Sequence, residues 1–294
     1  MLSFHTVAKT GGISAAADHL GLAKSGVSRH VAQLEAHFGV RLLERGARSV
    51  RLTQIGARLD DRIRSILAEV DLLRDIAREE SLGVSGQVVI ATTPEFGGLV
   101  ATDLFPALRE RHPDLTLVMR PAYAFEDMQD PGTDIAFRVG TFKDDRLVAR
   151  PLGQFRRWLV ASPKFAAENP ISHPADLADQ KCLTFRRDRP GATWTFESDT
   201  GTNEVEVTGP IAIHSFTVLR DLARIGQGFS LLPDFMLHDQ LERGDLVRVL
   251  PDHATKEHTV YLTFRPGARN VARINAVISA AEELVPDMLN KERN

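Results

Sequence analysis

Residues 13–38 read ISAAADHLGLAKSGVSRHVAQLEAHF. An alanine-rich helical stretch over 15–20 breaks at Gly21. A longer helix follows over 24–38. Its apolar residues Val27, Val31, Leu34 and Phe38 recur at intervals of four and three, the stripe of a helix buried on one side. Lys24, Ser25, Ser28, Arg29 and His30 fall on its other face. Ser14 is placed to cap the shorter helix, and its alanines let a neighbour pack closely. Upstream, Leu2, Phe4, Val7 and Ala8 give an apolar face to another helix that ends at Gly11-Gly12. Short helix, tight turn and a second helix with a polar face is the helix-turn-helix arrangement, in which the second helix enters the major groove of DNA. Downstream, 41–44 and 49–52 read as short strands about a turn at Gly46-Ala47-Arg48, a basic wing.

Charge supports a polyanionic partner. Residues 1–58 hold eight Lys and Arg against three Asp and Glu, a net +5; the whole chain is −3, which leaves −8 for the rest. Counterion release from phosphates needs local rather than net positive charge, so double-stranded DNA is the expected partner. The solitary Cys182 excludes an intramolecular disulfide and a cysteine metal cluster, which suits a reducing cytoplasm. It precedes Leu183-Thr184-Phe185, an expected buried strand. The opening residues lack the features of a secretory signal, and no apolar run reaches membrane-spanning length. The ten histidines show no metal-ligand spacing. No Gly-x-Ser-x-Gly elbow or phosphate loop is present. No catalytic residue, cofactor, metal or membrane contact is therefore expected.

The run Ala16-Ala17-Asp18-His19-Leu20, Lys24-Ser25-Gly26-Val27-Ser28-Arg29-His30-Val31, Leu34-Glu35, Gly39, Leu42-Leu43, Arg45 and Leu52-Thr53-Gln54-Ile55-Gly56 resembles the LysR-type transcriptional regulators over the whole winged-helix region. The family usually has Ser-Gln where this chain has Ala23-Lys24, and Phe where it has Leu43. That Gln commonly reads a base edge, whereas Lys24 can donate to guanine or hold a phosphate. The resemblance implies DNA contacts from Lys24, Ser25, Ser28, Arg29, His30, Arg45, Arg48, Arg51 and Thr53.

Thr53 can cap a long helix running to about Ser81, ended by Gly83 and Gly86. Leu59, Ile63, Ile66, Val70, Leu73 and Ala77 follow the alternating four-three spacing of a coiled-coil seam. About 28 residues span ~42 Å at 1.5 Å per residue, and an exposed helix of that length needs a partner to cover its seam. A homodimer or homotetramer is expected, with paired reading heads on an interrupted palindromic operator. Packing on the helix's own domain is the alternative.

Beyond Gly86 strands alternate with helices: 88–91, 115–119 and 134–139 as strands, 96–111 and 218–226 as helices. That order suggests parallel sheets. Ligands in such folds sit where strands end and helices begin, as at Thr92-Thr93-Pro94-Glu95 and His214-Ser215-Phe216-Thr217. The region resembles the family's effector domain, two α/β lobes like a periplasmic binding protein. Phe105-Pro106, His112-Pro113, Asp134-Ile135-Ala136, 147–153, Ala161-Ser162-Pro163, 173–177, Cys182-Leu183 and 226–233 look most like the CrgA-like branch. The expected organisation is a winged helix-turn-helix over 1–58, a linker helix over 59–83 and an effector domain over 84–294. Lobe I would take about 87–161 and 263–290, lobe II about 162–262, with crossings near Ala161 and Thr263. Positions matching the family's cleft are Thr93, Glu95, Phe96, Arg138, Val139, His214, Ser215 and Phe216. Glu95 would repel a carboxylate ligand. It would favour a cationic or neutral effector, be neutralised by Arg138, or simply complement its helix dipole at an exposed first turn. In Thr193-Trp194-Thr195-Phe196 the Trp is expected to fill a lobe interface.

The reading is a DNA-binding transcription regulator governed by a small-molecule effector, with RNA polymerase a candidate further partner. The alternatives are a metabolite-converting α/β enzyme and a DNA-binding architectural protein without a ligand.

Overall fold

The computed structural model describes residues 1–45, 50–64, 66–67, 70, 84–121, 132–140, 146–185, 191–199 and 201–291. The chain divides into two compact units, Met1–Ser81 and Leu82–Asn294.

In the first unit α1 (Leu2–Thr10), α2 (Ile13–Leu20) and α3 (Lys24–Phe38) pack around Phe4, Val7, Ala16, Ala17, Val27 and Val31. Gly21, at φ 64°, lets the Leu22 N–H reach back to the Ala17 carbonyl at 3.0 Å, which closes α2 and turns the chain into α3. The strands β1 (Leu43–Arg45) and β2 (Val50–Leu52) pair antiparallel, Leu43 opposite Leu52. The carboxylate of Glu35 on α3 accepts from the amides of Leu42 at 2.7 Å and Leu43 at 3.1 Å, so this acid in a basic unit secures the wing. Residues 54–64, 66–67 and 70 are helical and form α4.

Four expectations change. Ser14 caps nothing: α2 begins two residues earlier, on an extended Gly12 with no side-chain cap, which seats Ile13 against the core. Leu2 and Phe38 are exposed, because the three-helix core is filled between Phe4 and Leu34. Ile63 is only 2% exposed and belongs to this unit's own core, with Leu59 and Leu67 packed beside it. Ile66 at 47% and Val70 at 39% remain exposed. The seam therefore divides: Leu59 and Ile63 cover the winged helix, and Ile66 and Val70 stay outside its core. Leu73 and Ala77 lie outside the described residues, as do residues 46–49 of the wing.

Both lobes lie in the second unit. Its elements are β3 (Gly86–Thr92), α5 (Pro94–Leu99), α6 (Phe105–Arg111), β4 (Leu115–Pro121), β5 (Ile135–Val139), β6 (Val148–Phe155), β7 (Arg157–Ala161) and α7 (Pro163–Glu168). They continue with β8 (Cys182–Phe185), β9 (Ala192–Ser198), β10 (Gly201–Val207), β11 (Ile211–Ile213), α8 (Phe216–Arg224), β12 (Phe229–Pro233), α9 (His238–Glu242), β13 (Val247–Arg248), β14 (His258–Phe264) and α10 (Ala272–Lys291). One sheet has the order β4-β3-β5-β14-β6, the other β11-β8-β12-β7-β13. Neither is purely parallel: β3 runs parallel to β4 and β5, but β14 runs antiparallel to β5 and β6, and β7 antiparallel to β12.

The lobe boundaries move by a strand. β7 belongs to the second lobe and β14 to the first, so the chain crosses at Arg156 and again between Thr255 and His258, not near Ala161 and Thr263. The single residue Arg156 separates β6 from β7, too short a break to mark in the sequence. The crossings are stitched together where Arg157 N–H donates to Thr255 Oγ1 at 2.9 Å and Thr255 N–H to the Arg157 carbonyl at 3.2 Å. The helix expected over 96–111 is α5 and α6 joined by a π turn, Val100–Leu104, which makes room for Pro106 in the first turn of α6. Trp194 fills no lobe interface: with Phe196, Val205 and Val207 of the β9–β10 hairpin it packs on Leu159, Cys182 and Phe229 of the second lobe. Burial pushes the Cys182 thiol up to about 12, which leaves it uncharged and unreactive.

A Cβ at Gly56 would lie 2.1 Å from the Leu42 carbonyl oxygen, where the first turn of α4 meets the wing. Gly56→Ala must shift backbone there, and a loss of about 1–3 kcal/mol is expected. Chemical denaturation of parent and variant measures it; equal stabilities would show that the joint yields freely.

Candidate functional site

Two surfaces gather the expected functional residues, one in each unit. On α3, Lys24, Ser25, Arg29 and His30 are exposed and Ser28 half-buried, opposite the buried Val27 and Val31. The His30 Nδ1 lies 2.9 Å from the hydroxyl of buried Ser3 on α1. When Ser3 donates, the imidazole's other nitrogen carries the proton and can donate outward. Arg51 on β2 is exposed. Arg48 and the side chain of Arg45 lie outside the described residues. The Thr53 hydroxyl is a joint: it donates to the Arg41 carbonyl at 2.9 Å and accepts from Gly56 N–H at 2.9 Å, capping α4.

In the second unit Thr93 caps α5, its hydroxyl accepting from Phe96 N–H at 3.4 Å, and Ser215 caps α8, accepting from Val218 N–H at 3.4 Å. Glu95 is not at an exposed turn. It is 8% exposed, and from the first lobe its Oε1 accepts from the amides of Phe216 at 2.9 Å and Thr217 at 3.3 Å, with the Ser215 hydroxyl at 3.5 Å. Expected ligand residues from the two lobes thus bind each other.

Phe96 is a core residue rather than a cleft wall, its ring 5.3 Å from Phe137 and 5.7 Å from Phe235. Arg138 is buried and Val139 exposed at the end of β5. His214 is half-buried with its ring 4.7 Å from Phe185, on which Phe216 stacks at 4.0 Å and 8°.

Sequence reasoning missed the groups at the crossings. The Arg157 guanidinium lies 5.0 Å from the Phe216 ring centre, and its Nε has no hydrogen-bond partner among the described residues. Burial lowers the Arg157 pKa from its usual range. The Asp234 carboxylate accepts from the amides of Arg156 at 3.0 Å and Phe235 at 2.9 Å. The signal available was the pair Arg156-Arg157 interrupting an apolar run. Among the described residues no group of three His, Cys, Asp or Glu could hold a metal ion, and no helix is long and apolar enough to cross a membrane.

The model for bacterial regulatory helix-turn-helix proteins of the lysR family matches residues 1–57, and that for the LysR substrate binding domain matches residues 81–286. The chain belongs to the LysR family of transcriptional regulators. It is 30% identical over 252 residues to the regulator DmlR of Escherichia coli, covering 85% of this chain and 82% of that one. The solved structure of CrgA, a LysR-type regulator from Neisseria meningitidis, is 26% identical with a TM-score of 0.60, covering 99% of this chain and 97% of that one. The full-length Vibrio cholerae virulence activator AphB is 25% identical with a TM-score of 0.65, covering 95% and 96%. This LysR-type regulator thus joins a DNA-binding helix-turn-helix unit to a two-lobed effector-binding unit.

At the lobe crossing of this LysR-type regulator, His258 is pushed down to about 4 by burial, then by Arg157 and Lys256. Protonation therefore favours the unfolded chain. The stability that neutral His258 contributes is present above about pH 6.5, the usual His value, and is lost as pH falls toward 4. His258→Asn should flatten the decline of thermal midpoint over that window; an equally steep decline would assign it to other groups.

Proposed function

We propose that this regulator works as a homodimer or homotetramer on an interrupted palindromic operator. α3 enters the major groove, where Lys24, Ser25, Ser28, Arg29 and His30 meet bases and phosphates, and the wing with Arg45, Arg48, Arg51 and Thr53 meets the backbone. A small-molecule effector bound between the lobes, near Thr93, Glu95, Arg138, Val139, His214, Ser215 and Phe216, changes the geometry of the assembly. The protein acts by binding rather than catalysis, in the cytoplasm where the DNA lies, with RNA polymerase as a further partner. The observation that carries this reading is the exposed polar face of α3 within residues 1–58, which carry a net +5 on an acidic chain. Ile66 and Val70, exposed on α4, supply the dimer contact in this reading.

Footprinting of bound sites tests it, with half-sites about one helical turn apart expected. Lys24→Ala and Arg29→Ala should leave folding intact. Loss of a base contact costs about 1–3 kcal/mol and relaxes sequence preference, and loss of a phosphate contact lowers the salt slope by about one. Unchanged affinity of both variants across a salt series would remove α3 from the groove.

Ile66→Asp should dissociate the oligomer while its winged helix stays folded, because the charge enters an interface rather than the unit's core. Ile63→Asp should unfold the DNA-binding unit instead. Sedimentation and circular dichroism separate the two; an intact oligomer in Ile66→Asp would place the contact elsewhere.

A further inference from the structure

The first-turn amides of a helix have no partner within it and gather partial positive charge. In α8, a nine-residue helix, Ser215 satisfies only the Val218 amide. The amides of Phe216 and Thr217 are left to a group from outside the helix. That group is Glu95, nine-tenths buried, with Oε1 2.9 Å and 3.3 Å from the two nitrogens. Its backbone is set by the first turn of α5, where Thr93 caps the helix and Pro94 starts it. The carboxylate thus complements the dipole of its own helix and reaches across to the helix of the other lobe. The covalent links between lobes are the two short crossings at Arg156 and near Thr255. Aromatic rings of Phe96, Phe235 and Phe155 continue that joint without directional bonds.

We propose that Glu95 is the resident anion of the inter-lobe site and its specificity-determining residue. It fills the place at the α8 N-terminus that a ligand carboxylate or phosphate would take, and it ties the lobes together without a ligand. The site therefore admits a neutral or cationic small molecule and rejects one that presents an anion to α8. Ser215 and Thr217, each half-buried, leave that place within reach of solutes once the Glu95 carboxylate is gone. This deepens the reading of the second unit as an effector domain and rests on it.

The test uses the full-length protein without DNA. Amide hydrogen exchange is followed at Phe216 and Thr217, and the thermal midpoint is followed as sodium acetate replaces sodium chloride at constant ionic strength. The parent should protect both amides and show no response to acetate. Glu95→Ala should exchange at the two amides about tenfold faster or more, with remote amides unchanged, and its midpoint should rise saturably with acetate. Glu95→Gln, which keeps the volume and a weaker acceptor, should fall between the two, and it carries the test if Glu95→Ala fails to fold. Unchanged exchange at Phe216 and Thr217 in the variant that folds overturns the proposal, as does a parent stabilised by acetate as much as that variant. None of these readouts involves the operator. A protein that binds no operator yet behaves as described loses the regulator reading and keeps the resident anion, and the reverse pattern loses only the latter.

Discussion

Backbone amides at the joints between elements have no partner of their own, and burying one without an acceptor costs about 1–3 kcal/mol. Carboxylates answer that constraint throughout this chain. Glu35 takes the Leu42 and Leu43 amides where α3 meets the wing. Asp134 takes the Val89 amide at 2.8 Å and returns its own to the Val89 carbonyl, setting β3 beside the entry to β5. Asp234 takes Arg156 and Phe235 at the lobe crossing, and Glu95 takes Phe216 and Thr217 across the lobes. A carboxylate with two lone-pair-rich oxygens can serve two amides at once, which a hydroxyl cap such as Thr93 or Ser215 does not do here.

The same arrangement divides labour between the units. Two acids of the DNA-binding unit serve its own joints: Glu35 accepts from the wing, and Asp60 is held by His5 and Arg64, at 2.9 and 3.1 Å. The basic side chains on the α3 face and on β2 stay exposed, so the unit's positive charge is presented rather than cancelled. In the effector-binding unit the order is inverted. Arg157 lies against Phe216, Arg248 over Trp158 at 4.5 Å, and their charge is partly desolvated at the crossing, where a change of lobe geometry would be felt.

Much of this was legible in residues. α3 carries the bounds that its four-three spacing predicts, because Val27 and Val31 are local in sequence and face one core. The strand starting at Cys182 was legible for the same reason. Less legible were positions where two distant segments share a job. Periodicity marks Ile63 and Ile66 alike as apolar seam residues, yet only the packing of α4 on Phe4, Val31 and Leu42 decides that Ile63 turns inward and Ile66 stays out. The lobe boundary escaped because β6 and β7 form one extended run whose change of sheet happens at Arg156, held by an aspartate 78 residues away.

Sequence by itself determined the family, the helix-turn-helix, the placement of basic charge at one end and the residue types gathered at the two strand-to-helix junctions. These are properties of spacing and composition within a few turns of chain. Tertiary structure alone decided what those junction residues do. Thr93, Glu95 and Ser215 read as ligand groups when each is considered beside its own helix. Folding brings α5 and α8 close enough for the Glu95 carboxylate to meet the Phe216 amide at 2.9 Å, a bond across 121 residues of sequence. Whether a polar group is free for a ligand depends on which partner the fold delivers to it, and local spacing holds no record of that.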